Sequence, residues 1–119
     1  MKSDSFWLAL DQLVAGCDVV VDRPQGTAHP RYPGFTYPLD YGYLDGTRSG
    51  DGEGVDVWIG SRRRQAPTAI VCTLDLEKLD VEVKILLGCT QQEARQVLAI
   101  HNQGAMAATL VERHEPQDE

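Results

Sequence analysis

The residues best suited to chemistry fall in one stretch, residues 37–59, which reads YPLDYGYLDGTRSGDGEGVDVWI. Asp51, Glu53 and Asp56 place three carboxylates within six residues, and Gly50, Gly52 and Gly54 let the backbone bend between them. Like charges in so tight a turn repel one another unless a cation lies among them. Oxygen ligands at this spacing suit Mg²⁺ or Mn²⁺ better than Zn²⁺. A polar hairpin loop with no ligand accounts for the same composition. Counted from Asp45, the loop also has the outline of an EF-hand, with Gly50 at the sixth position and Asp56 at the twelfth. An EF-hand needs helices on both sides, however, and the flanking YGYL and VDVWI are strand-like. GEGVDVWI fits a single copy of a calcium-binding nonapeptide repeat that works only in arrays, and no second copy follows.

These carboxylates need a frame to hold them. Ser3 or Ser5 caps an expected helix over residues 4–15, with Phe6, Leu10, Leu13 and Val14 on its apolar face and Gly16 as its stop. CDVVVDR reads as a strand ended by Pro24 and Gly26, and the proline-bearing residues 27–38 read as loop or edge strand. Residues 41–44, VDVWIG, TAIVCTLDL and DVEVKILLG are further strands, with SRRRQAP as a turn. Thr90 and Glu93 have capping-box spacing, so a helix runs from there to about Gly104. AMAATLVER closes as a strand or short helix, and HEPQDE is a tail. Short strands with a helix at each end predict an α+β fold around a small, OB-like β-barrel.

A chain of 119 residues makes a single domain, residues 1–119, with one modest core. A net charge of -7 argues against general affinity for nucleic acid or an anionic membrane, so a polyanionic ligand would need metal ions as intermediaries. No apolar run reaches membrane-spanning length, and the first residues lack a signal-peptide pattern. Cys17, Cys72 and Cys89 lack CxxC spacing and sit in or beside apolar runs, as core residues of a reducing compartment do. The cytoplasm is the expected location.

The acidic stretch resembles the signature of the family I soluble inorganic pyrophosphatases, a YPxNYG element followed by T-x-x-x-DGDPxDV. Tyr37, Pro38, Tyr41, Gly42, Thr47, Asp51, Gly52, Asp56 and Val57 match at the right spacing. Upstream, VVVDRPQGTAHPRY is similar to that family's acid–Pro–x–Gly–Lys–Tyr segment, with Asp22 for its Glu and Arg31 for its Lys. Downstream, DVEVKILL is similar to a shortened second acidic loop, with Asp80, Glu82 and Lys84 retained. The chain departs from the pattern at Glu53, where the family has Asp. Its Arg-bearing hairpin is cut to Pro33–Gly34–Phe35–Thr36, and a late Tyr–Lys pair has no counterpart.

The resemblance implies metal-dependent hydrolysis of pyrophosphate to two phosphates by a metal-bound hydroxide. Mg²⁺ is the implied metal, with Mn²⁺ as its substitute. Asp51, Asp56, Asp80 and Glu82 are the implied metal ligands. Glu53 is the implied base, and Tyr41 is implied to hydrogen-bond a phosphate or the nucleophilic water. Arg31, Lys84 and Asp22 line the substrate, and a homo-oligomer is compatible with the pattern. Read as residues alone, Asp80, Glu82 and Lys84 are equally the solvated face of a strand. Two alternatives stay open: a non-catalytic metal- or phosphate-binding descendant of the fold, and a hydrolase of another phosphoanhydride admitted by the shortened hairpin.

Overall fold

The alternation in VDVWI and DVEVKILL builds the centre of the molecule, because successive side chains of a strand point to opposite faces. In a computed structural model that describes residues 2–114, these segments are β3 (Val55–Ile59) and β5 (Asp80–Leu87). They join β1 (Val19–Arg23), β2 (Asp40–Leu44), β4 (Pro67–Asp75) and β6 (Met106–Glu112) in one sheet of order β1-β2-β3-β5-β4-β6. Neighbours run antiparallel except β3 and β5, which pair in parallel between Val57–Ile59 and Ile85–Leu87. The expected α+β class holds. Hydrogen bonds do not close the sheet into the expected barrel, because β1 and β6 are its two edges.

Each face carries its own apolar cluster. On one, Trp58, Leu86, Val71 and Ala69 pack with Tyr37, Leu39, Cys89 and the α2 (Gln91–Ile100) residues Ala94 and Val97. On the other, Leu44, Val57, Ile85 and Leu87 lie under Trp7 and Leu10 of α1 (Lys2–Ala15). Leu44, Val57, Trp58, Leu86 and Leu87 are wholly buried, each stabilising the fold by roughly 1.5–3 kcal/mol relative to exposure. Gly42 sits where β2 crosses β1 so closely that a Cβ would overlap the backbone of Val20 and Val21. All three cysteines are free, and burial pushes the Cys89 thiol up to about 12.

Several local expectations change. The first helix begins by Lys2, so Ser3 and Ser5 lie within its span rather than at its N-cap position. Its buried stripe is Trp7, Leu10 and Val14, while Phe6 is 49% and Leu13 40% exposed. The i, i+3, i+7 spacing of that stripe lays Trp7 rather than Phe6 on the sheet. The second helix has the capping box: Glu93 N–H donates to Thr90 Oγ1 at 3.1 Å and Thr90 N–H to Glu93 Oε1 at 2.9 Å. It stops at Ile100 with His101 as C-cap, short of the expected Gly104, and the closing segment takes the strand form as β6. Of the HEPQDE tail, all but His114 lies outside the described residues. No helix among the described residues is long and apolar enough to cross a membrane.

Candidate functional site

The β2–β3 hairpin carries the acidic loop, and the loop is held by its own hydrogen bonds. Thr47 Oγ1 donates to Leu44 O at 2.7 Å and accepts from Val55 N–H at 2.9 Å. Asp51 Oδ1 accepts from Ser49 Oγ at 2.5 Å and from Glu53 N–H at 2.9 Å. The first of these bonds, with help from the second, holds the Asp51 carboxyl below the usual carboxylate range. Gly52 takes φ +88°, a left-handed conformation that suits glycine. With strands on both sides, this hairpin has none of the helical frame of an EF-hand.

The topology explains where the carboxylates meet. The parallel pairing of β3 and β5 covers only their C-terminal halves, so a cleft opens between the acidic loop and residues 80–84. Asp56 lies at the centre of this cleft. It lines a cavity of about 560 Å³ with Asp51, Asp80 and Glu82, and one of about 310 Å³ with Asp80, Glu82, Tyr41 and Lys84. It also lines a third, of about 420 Å³, with Asp22, Asp51 and Glu53.

At the floor of the cleft stands Lys84, buried despite its charge. Its Nζ donates to Tyr41 Oη at 2.7 Å, to Asp56 Oδ2 at 3.0 Å and to Glu82 Oε1 at 3.1 Å. Burial alone would favour the neutral amine. The Tyr41 oxygen and the Asp56 and Glu82 carboxylates outweigh it and hold the pKa above the usual lysine value. Burial likewise raises the Tyr41 phenol, so at neutral pH it stays a hydroxyl accepting from an ammonium. The Tyr41 ring packs on Trp58 at 4.6 Å between centroids, and Trp58 Nε1–H donates to His101 Nε2 at 3.2 Å. His101 Nδ1 lies 3.2 Å from Met106 Sδ. Burial, and secondarily the Lys84 charge, push His101 down to about 4, so its ring is neutral and free to accept from the indole.

The predicted residues divide into three groups. Asp51, Asp56, Asp80, Glu82, Lys84 and Tyr41 are brought together around the cleft. Asp22 and Glu53 stand at its rim. Arg31 is exposed and stands beside His29, whose Nδ1 accepts from the Arg31 backbone N–H at 3.0 Å; its side chain is not on the cavity wall. The wall adds residues that the sequence did not single out for the site: Arg23, Lys78, Asp75, Thr73, Trp58 and Met106, together with His101 as more than a helix cap. For two of them the signal lay in the hairpin register. Thr73 pairs with Glu82 and Asp75 with Asp80, so both share the carboxylate face.

A divalent metal fits this donor set by its chemistry, since every candidate ligand is a carboxylate oxygen. Among the described residues no three such side chains are already drawn around one point, and Lys84 occupies the space between Asp56 and Glu82. Binding an ion there would require Asp56 or Glu82 to rotate away from the ammonium.

Comparison with known proteins follows the same lines. No family model matches the chain. It is 37% identical over 66 residues to the inorganic pyrophosphatase of Aeropyrum pernix, a match covering 56% of this chain and 34% of that protein. The matched stretch is thus about a third of the relative's length. An inorganic pyrophosphatase from Neisseria gonorrhoeae superposes with a TM-score of 0.64 at 18% identity, over 79% of this chain and 80% of that one. An inorganic phosphatase from Anaplasma phagocytophilum gives 0.57 at 13% identity, over 79% and 82%. Both crystal structures share this fold.

Proposed function

We propose that this chain, a relative of the inorganic pyrophosphatases by sequence and fold, hydrolyses pyrophosphate in the cleft between the acidic loop and β5. The observation that carries the reading is Lys84, an ammonium held at the floor of the cleft by Tyr41, Asp56 and Glu82. Its three N–H donors are all engaged, so drawing Asp56 or Glu82 onto a metal would free one for a phosphoryl oxygen. Mg²⁺ or Mn²⁺, held by Asp51, Asp56, Asp80 and Glu82, would neutralise substrate charge and activate water. Tyr41 fixes the Lys84 ammonium against movement, and Trp58 fixes Tyr41 in turn. Glu53 at the rim is the base that takes the water's proton, with Asp22 beside it. The water oxygen bonds to one phosphorus, the bridging P–O bond breaks, and two phosphates leave. The free cysteines fit a reducing compartment such as the cytoplasm.

A phosphate-release assay on pyrophosphate with and without Mg²⁺ tests this reading. Metal-dependent release that Asp56→Asn lowers by at least ~10²-fold supports it. Absence of release under every metal condition would leave the fold as a non-catalytic binding module.

A further inference from the structure

The inner end of the 310 Å³ cavity holds Lys84 and the carboxylates, but its outer end is built differently. Residues 24–39 cover that end with aromatic rings. Tyr37 is buried in the core, and Phe35 packs edge-on to it at 5.1 Å between centroids. His29 stands 5.9 Å from Phe35 and 5.0 Å from Tyr32. Tyr32 remains 53% exposed at the cavity rim. An exposed ring is not needed to fill a core, and beside a phosphate site it presents a free π-face. Cations sit around these rings: Arg23 and Lys78 line the same cavity. Burial, then the charges of Arg23, Lys78 and Arg31, lower the His29 pKa, so its ring is neutral at pH 7. The volume reaches the lower end of the range that small organic ligands occupy.

We propose that the outer end of this cavity is a nucleoside subsite, with the base on Tyr32 and His29 and the phosphates running inward past Arg23 and Lys78 to Lys84. The substrate class is then a nucleoside diphosphate, which is a pyrophosphate esterified at one end. As a substrate site this rests on the hydrolase reading above; as a binding site it is measured separately. Water attacks the terminal phosphorus and the bridging P–O bond breaks. The bond's electron pair stays on the nucleoside monophosphate, phosphate is released, and the water's proton passes to Glu53 and from there to solvent. Aromatic stacking tolerates any base, so no single nucleobase is selected by these rings.

The test uses two non-hydrolysable probes in Mg²⁺, the α,β-methylene analogue of ADP and methylenediphosphonate, titrated calorimetrically into the full chain. The nucleotide analogue is expected to bind at least about tenfold more tightly, the scale of one base–aromatic stack. Tyr32→Ala is expected to reduce that preference to near parity, while Tyr32→Phe retains it. Equal binding of the two probes to the wild-type chain, or a Tyr32→Ala loss common to both, overturns the subsite. Turnover of ADP and pyrophosphate is then measured on the same samples. If the analogue binds through Tyr32 and neither compound is hydrolysed, the subsite stands and the hydrolase reading falls. If pyrophosphate is hydrolysed and the nucleotide gains nothing from Tyr32, the subsite falls and the hydrolase reading stands.

Discussion

His101 gives the sharpest single test of how the site is held together. It is 4% exposed, accepts from Trp58 Nε1–H and is pushed down to about 4 by burial and by Lys84. Its unfolded value is 6.5. The unfolded chain therefore takes up a proton as the pH falls through 6.5, whereas the folded chain refuses it until about pH 4. Stability contributed by neutral His101 is complete above pH 6.5, falls across that window and levels off below it. Integrating the linkage gives a loss of about 2 kcal/mol between pH 7 and pH 5. Urea unfolding at the two pH values would measure it. In His101→Gln, the amide oxygen replaces Nε2 as the acceptor for Trp58, and the titrating group is gone. The wild-type chain should lose about 2 kcal/mol more than the variant over this interval. Carboxylates such as Glu93, whose pKa is lowered, titrate in both proteins and cancel in the difference. An equal pH 7-to-5 loss in the two proteins would refute the claim that His101 is buried neutral behind the cleft.

Four further outcomes follow from the geometry. Lys84→Met should destabilise the fold by about 2 kcal/mol in urea unfolding, less than a fully buried pair costs because Asp56 and Glu82 remain 34% and 29% exposed. The same variant should gain more thermal stability from millimolar Mg²⁺ than the wild type does, because the ammonium no longer competes for those carboxylates. Glu53→Gln should lower pyrophosphate hydrolysis ~10²-fold, the lower scale for losing a general base, while Glu53→Asp should stay within about tenfold of wild type. Gly42→Ala should destabilise the fold by about 1–3 kcal/mol in urea unfolding, since its new methyl meets the Val20 backbone.

The strands were legible because their pattern is local. VDVWI and DVEVKILL alternate, and the structure places Asp56, Asp80, Glu82 and Lys84 where that alternation sends them. The capping box was legible for the same reason, with both partners three residues apart. What escaped depends on pairing between distant segments. Nothing near Lys84 in sequence says that its ammonium will meet Tyr41, 43 residues away, rather than solvent. Nor does IHNQ announce that His101 closes on Trp58 across the same separation. Hydrogen-bonded closure of a barrel lies at this level too, because it requires the edge strands β1 and β6 to meet, and no local pattern encodes that. Phe6 and Trp7 are a related case: both are apolar, and only the position of the sheet decides which one is covered.

The charge distribution ties the fold to the proposed chemistry. Asp22, Asp51, Glu53, Asp56, Asp75, Asp80 and Glu82 line the linked cavities, against the cations Arg23, Lys78 and Lys84. Lys84 is already engaged by two of the carboxylates. A substrate bearing several negative charges meets a repulsive field there, and salt screens it least at the buried floor. On the proposed function, entry should therefore need added cations, and the reaction should depend on divalent metal. An anion that bound as well without Mg²⁺ as with it would have to sit at the Arg23–Lys78 end, away from Asp56. Titrating methylenediphosphonate into the Arg23→Gln, Lys78→Gln double variant and into Asp56→Asn, each with and without Mg²⁺, separates the two ends. Metal-dependent affinity should follow Asp56, and the metal-independent remainder should follow Arg23 and Lys78.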